Sequence, residues 1–401
     1  MAEMRAFAIA RHAYASEIET AKRQVDREIA RPLDTPAARR GGWKHRERSR
    51  NSYGWKPRSR LIIKHTAAFS IAIMSAPGPC YDQLAFSGGG GGDVGVDLLT
   101  AKVRRPFRPS TSSSNSNCLL NVEIFGSPEG VDDSSWPSLL FVHGVCESAE
   151  TWTVQNLARA AQENKWRMAV LEIEGHGLST GQRSVRGSFS RLIEHAEYFV
   201  HHVLSSDVGS VPFAICGASL GGVLAAYVAD RIASNPRYKG NFIGAIPIVP
   251  AVGVAPEAVP PAPIVGALRI LAAIAPGSGF LTPVEDPSHY ACPPNTKRNF
   301  QGQWPLSTSK MLLDVTSGGV EKDQNSGKLN MDIPSLLVIA GERDEIIPVE
   351  SITSFYEKAK SQDKQLVKVP RVDHSLMVGQ KTAKFATQII FKWLNERRDK
   401  L

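Results

Sequence analysis

The chain has 401 residues, 42% hydrophobic and 21% charged, which is the balance of an ordinary soluble globular protein with room for a large core or two domains. Its net charge of +8 would suit a nucleic-acid partner, but the charge is not spread evenly. Residues 1–70 hold 16 Lys/Arg against 7 Asp/Glu, leaving 31 against 32 in the other 331, so the body lacks the basic excess that nucleic acid requires.

Residues 1–117 differ from the rest. A charged helical stretch is expected near residues 14–30, and "RRGGWKHRERSRNSYGWKPRSR" (39–60) has no apolar periodicity. The apolar patch at 61–74 is broken by Lys64 and His65 and is too short to span a bilayer. "SGGGGGD" (87–93) and "STSSSNSN" (110–117) have linker composition. The segment reads as a largely disordered basic extension, or as an Arg-rich organelle-targeting segment, with Met74 as an alternative start. Five cysteines, Cys80, Cys118, Cys146, Cys216 and Cys292, are dispersed with no C-x-x-C pair. That pattern argues against a disulfide framework and a zinc site, and for reduced thiols in a cytoplasmic compartment.

From residue 118 onward, short apolar runs alternate with helical patterns. Strands are predicted at 118–126, 138–144, 168–175, 212–217, 242–249, 335–341 and 364–369, and helices near 150–165, 187–206, 220–234, 349–361 and 379–397. Several strands are continuously apolar, as strands covered on both faces must be. The alternation predicts an α/β fold, a mostly parallel central sheet flanked by helices, with its chemistry in the loops at the strands' carboxyl ends. The core is expected at 118–249 and 335–398. The roughly 85 residues between are too many for a bare loop and read as an inserted cap over 250–334.

"CGASLGG" (216–222) lies where a buried strand turns into a helix. Gly217 and Gly221 flank Ser219 at the spacing a sharp strand-to-helix reversal needs, and the turn pushes the serine hydroxyl out of the sheet beside a helix N-terminus. A serine nucleophile requires a base. Only His289 and His374 follow it, and His374, in "RVDHSL", comes just after a strand. Asp344, in "AGERDEIIP", follows another strand and supplies the acid that orients the base. For the oxyanion, Leu220 N–H comes with the elbow, and Val145 N–H is the second candidate, after the turn made by His143 and Gly144 in "LLFVHGVCES". His143 is expected to support structure rather than carry protons, and so is the turn residue His176.

Together "HGVCES", "EGHGLSTGQR", "GASLGG", "GERDEIIP" and "DHSL" resemble the α/β-hydrolase superfamily, specifically its monoacylglycerol-lipase-like branch, over residues 117–397. The resemblance implies Ser219 as nucleophile, Asp344 as acid, His374 as base, and Val145 and Leu220 as the oxyanion hole. The chain departs from the family where Glu172 stands in place of Asp, where Glu174 stands in place of Arg, and in Cys146 beside the oxyanion loop.

The function expected is that of a serine esterase or lipase acting on carboxylic esters, monoacylglycerols foremost, with a small-molecule acyl ester as its partner and no metal or organic cofactor implied. The rivals are an aminopeptidase or other acyl hydrolase of this fold, and a non-catalytic ligand-binding homologue. Residues 263–275 of the cap, "PIVGALRILAAIA", are apolar on nearly all sides. They form either a helix buried against the core or a lid that lines an acyl pocket or meets a lipid surface, giving peripheral membrane contact.

Overall fold

The computed structural model describes residues 99–109, 118–181, 188–205, 211–256, 259–279, the backbone of 284–285, 298–300, 302–317 and 329–401. The expectations for residues 1–98, whether extension, targeting segment, helix or alternative start, lie outside the described residues.

Ten strands and seven α-helices are described. In chain order they are β1 (Val103–Arg104), β2 (Asn121–Phe125), β3 (Ser138–Val142), α1 (Trp152–Glu163), β4 (Arg167–Glu172), α2 (Phe189–Val203), β5 (Phe213–Ala218), α3 (Leu220–Ala233), β6 (Phe242–Ile248), α4 (Ala262–Ile274), β7 (Val284–Glu285), β8 (Gly302–Gln303), α5 (Leu306–Thr316), β9 (Ser335–Gly341), α6 (Val349–Lys358), β10 (Asp363–Val369) and α7 (Gln380–Arg398). Eight strands make one sheet in the order β1-β2-β4-β3-β5-β6-β9-β10. From β4 to β10 neighbours run parallel, and β2 and β1 add antiparallel at one edge. All seven predicted strands and all five predicted helices are present, with ends shifted by a few residues where side-chain patterning gives way to caps.

The apolar runs are the central strands. Every residue of β3, β5, β6 and β9 is buried, because each has a strand on either side and helices over both faces. Helix α3 is buried along most of its length, against β5 and β6. Helices α1 and α7 pack together, as do α2 and α3. The chain leaves β3 towards β4 on one side and then crosses to β5 on the other. The order therefore reverses at β3, and the crevice between the carboxyl ends of β3 and β5 is where a ligand is accommodated in such sheets.

One expectation is corrected and one open alternative is narrowed. The core does not begin at 118: Val103 and Arg104 pair with Ile124 and Glu123, and Phe107 bridges to Leu120 and is itself buried. Two residues of strand carry too little periodicity to be read, and the linker that follows hides the strand's partner. Of the two readings of the apolar helix α4, burial throughout does not hold: Val265 and Leu268 pack against the core, but most of the helix faces outward. Only Ala272 is buried, while Ile270 is 63% and Ile274 76% exposed. It lies along α5, a helix not foreseen, with Arg269 paired to Asp314 at 2.8 Å. Among the described residues, no helix is long and apolar enough to cross a membrane.

Candidate active site

The site starts from the end of β5. Ser219 has φ 53° and ψ −119°, a left-handed conformation that costs a residue with a Cβ on the order of 1–3 kcal/mol. The surroundings impose it. Ser219 N–H donates to Ile248 O at 3.0 Å, and its carbonyl accepts from Gly222 N–H at 3.0 Å and Ala251 N–H at 3.1 Å. The tight crossing requires the flanking glycines. A Cβ on Gly217 would strike the Gly221 carbonyl, and one on Gly221 would strike that of Val142.

His374 stands in the loop after β10 and Asp344 in the loop after β9. His374 Nδ1–H donates to Asp344 Oδ2 at 2.7 Å, so Nε2 carries the lone pair, and the Ser219 hydroxyl donates to it at 3.1 Å. Asp344 Oδ1 accepts from Ile346 N–H at 3.0 Å and Ile347 N–H at 2.8 Å. Those two donors fix the carboxylate's rotamer. Burial pulls the His374 pKa down, but the adjacent Asp344 charge and hydrogen bond, with the charges of Glu147 and Asp373, outweigh it and hold the imidazole above its ordinary value. The three residues predicted to act together are thus in one hydrogen-bonded line. His289, the other candidate base, lies outside the described residues.

The loop after β3 closes the site on the other side. Gly144 lies against Ser219: a Cβ placed on it would meet Ser219 Cβ at 3.4 Å. The next residue is Val145. Neither Val145 N–H nor Leu220 N–H donates to any described residue, so both are free for an incoming oxygen. His143 is wholly buried, and burial pushes its pKa down to about 4, so it is neutral. Its Nε2 accepts from Ile173 N–H at 3.2 Å and its Nδ1 donates to Gly144 O at 2.7 Å. Both bonds tie the ring to neighbouring backbone.

Four further residues shape this loop. His176 Nε2 accepts from Cys146 N–H at 2.9 Å, and its Nδ1 donates to Glu174 O at 3.1 Å. Cys146 takes φ 64°, which turns the chain directly after Val145. Half-buried Glu147 accepts from Gly144 N–H at 2.7 Å through Oε2 and from the Thr153 hydroxyl at 2.9 Å through Oε1, and desolvation raises its pKa despite those bonds. Fully buried Glu172 accepts from Ala149 N–H at 3.0 Å, Asn121 Nδ2 at 2.9 Å and Leu178 N–H at 2.7 Å. In sequence, Glu147 is one carboxylate among many, and no local pattern marks it as a brace. Glu172 stands out in sequence only as a departure from the aspartate of the family it resembles.

Residues between β6 and β9 also reach these loops. Directly after β6, Ala251 bonds to the Ser219 carbonyl and Ala255 N–H donates to Ile346 O at 3.3 Å. Further along the same stretch, Phe300 N–H donates to Cys146 O at 3.2 Å, and Arg298 pairs with Glu123 at 2.6 Å and Glu150 at 2.9 Å.

The profile of the family described as serine aminopeptidase, S33 matches residues 135–381. The chain is 25% identical over 247 residues to a monoacylglycerol lipase of Mycolicibacterium smegmatis, covering 59% of this chain and 81% of that protein. It is 22% identical over 261 residues to caffeoylshikimate esterase of Arabidopsis thaliana, covering 62% and 75%. In three dimensions it is similar to a soluble variant of the Saccharomyces cerevisiae monoglyceride lipase crystallised with a substrate analogue, with a TM-score of 0.54 at 16% identity, covering 73% of this chain and 98% of that one. At that identity the likeness speaks for the fold.

Proposed function

The chain belongs to the serine aminopeptidase S33 family of α/β-hydrolases, and from that premise we propose that it is a serine hydrolase of carboxylic esters, with monoacylglycerols as the favoured substrate class. The observation that carries the reading is the line Asp344–His374–Ser219, at 2.7 and 3.1 Å, beside two free backbone N–H groups. The ester names of the two curated relatives support the same bond type.

In this reading His374 Nε2 accepts the Ser219 proton as Oγ attacks the ester carbonyl carbon. The carbonyl electrons move onto oxygen, where Val145 and Leu220 N–H hold the charge. Collapse of the tetrahedral centre breaks the bond to the leaving alcohol, which takes its proton from His374. A water then gives its proton to His374, attacks the acyl carbon, and releases the carboxylic acid as Ser219 recovers its proton. Asp344 keeps Nδ1 protonated throughout and stabilises the imidazolium. No step calls for a metal or organic cofactor.

The apolar outward face of α4 supports acyl chains or a lipid surface as what the cap meets. The test is hydrolysis of p-nitrophenyl esters from acetate to palmitate, monoacylglycerols and aminoacyl p-nitroanilides, with fluorophosphonate labelling as the check for an activated serine. Ester turnover that falls on the order of 10³-fold or more in Ser219→Ala, with folding retained, is the expected result. Anilide cleavage without ester cleavage would favour the aminopeptidase alternative. A folded protein that neither reacts with the probe nor turns over any ester would be a ligand-binding homologue.

A further inference from the structure

Away from the triad, the fold brings together three side chains that the sequence keeps far apart. Cys118 precedes β2, Glu174 follows β4, and His195 lies on α2. One ligand-type atom from each falls within 4.8 Å of the others. His195 is 1% exposed, and neither of its ring nitrogens has a hydrogen-bond partner. Glu174 Oε2 is likewise buried without a partner, and it lies 3.7 Å from His195 Nδ1, too long for a hydrogen bond. Buried polar atoms left unpaired are costly and rare, and two of them facing each other beside a thiol call for an occupant.

The geometry points to a divalent-metal site of the zinc class with Cys118 Sγ, Glu174 Oε2 and His195 as its three protein ligands. Thiolate, imidazole and carboxylate together select zinc or cobalt over magnesium and calcium, which prefer oxygen alone. With metal–nitrogen and metal–oxygen bonds of about 2.0–2.1 Å, a tetrahedral ion separates its N and O ligands by roughly 3.3 Å, so a closure of a few tenths of an ångström from 3.7 Å suffices. Glu174 Oε1 is held by Arg191 Nη2 at 2.9 Å, as the outer-shell partner of a ligating carboxylate usually is. The fourth position is left for water. Glu174 is also the residue that stands where the resembling family has arginine, and its carbonyl accepts from His176, the brace of the oxyanion loop. An ion here would tie β2, the loop after β4 and α2 into one corner behind that loop.

The test uses the full chain freed of metal by a chelator, then dialysed against Co²⁺ or Zn²⁺ alone. One equivalent of metal per chain should be retained, Co²⁺ should give a thiolate-to-metal charge-transfer band in the near ultraviolet, and Zn²⁺ should displace it and raise Tm. Loss of an outer-shell partner weakens metal sites about 10–100-fold, so losing a ligand in Cys118→Ala or Glu174→Gln should weaken binding by about 100-fold or more and abolish the band in the cysteine variant. Wild-type protein that retains no metal above a serum-albumin-free buffer control overturns the site without recourse to any variant. Equal metal retention in folded Cys118→Ala and Glu174→Gln overturns it as well, by placing the metal elsewhere.

Discussion

Replacing Asp344 by asparagine tests the proposed mechanism at its least visible member. The amide is nearly isosteric with the carboxylate, so its orientation decides the outcome. In the protein, Oδ1 accepts from the N–H groups of Ile346 and Ile347, while Oδ2 accepts from His374 Nδ1–H. An amide can present its oxygen to the two backbone donors or to the histidine. Presenting its NH₂ to the backbone would leave two buried donors unpaired, at about 1–3 kcal/mol each. The oxygen therefore stays on the backbone and the NH₂ faces Nδ1. His374 must then accept at Nδ1 and carry its proton on Nε2, the atom 3.1 Å from Ser219 Oγ. A protonated Nε2 cannot take the serine proton. Enforcing the wrong tautomer costs about 10⁴ in kcat, or about 5 kcal/mol of transition-state stabilisation. The assay is kcat on p-nitrophenyl butyrate, with the rate of fluorophosphonate labelling as a second readout and a thermal melt to show that the fold survives. The two retained backbone bonds predict little change in the melt. A folded Asp344→Asn that kept more than a tenth of wild-type kcat would refute the assignment of Asp344 as the orienting acid.

Ester hydrolysis should rise with pH along an acid limb whose midpoint lies above the ordinary imidazole value of about 6.5, because the base must be neutral and Asp344, Glu147 and Asp373 outweigh burial in raising His374. A midpoint below that value in the kcat/KM profile would contradict it. The stability linkage has the opposite sense: the group's raised folded pKa adds stability that is fully present below its unfolded value and lost as pH climbs through the folded one. Ile270→Glu, on the exposed face of α4, should leave Tm nearly unchanged. It should depress kcat/KM for palmitate well below its effect on acetate, since each methylene that loses burial forfeits about 0.8 kcal/mol; equal losses across the chain-length series would separate α4 from the acyl site. A chain beginning at Met74 should hydrolyse esters at close to the full-length rate, and a large fall in kcat would assign residues 1–73 to the active structure.

The fold class and the meeting of Ser219, Asp344 and His374 in one hydrogen-bonded line could be read from the sequence, because each rests on local pattern. A continuously apolar run is a covered strand wherever it lies in the sheet. A serine between close glycines at a strand–helix junction is an elbow because the turn is built from its own neighbours. His374 and Asp344 were legible for the same reason, each standing just beyond a strand, where parallel sheets keep their chemistry. What depended on the chain's path through space was not legible. The two-residue strand β1 is defined by its partner β2 rather than by its own pattern. The apolar face of α4 is equally consistent with burial and exposure until its neighbours are known. Glu147 and Glu172 look like surface carboxylates in sequence, and only folding sets them, half-buried and fully buried, against the backbone donors of the loop after β3. Dispersed cysteines gave no reason to expect a metal, yet β2, the loop after β4 and α2 converge so that Cys118 meets Glu174 and His195. A strand pairs with whatever lies beside it and a buried charge binds whatever faces it, and those neighbours are set by sheet order and helix packing, not by spacing along the chain.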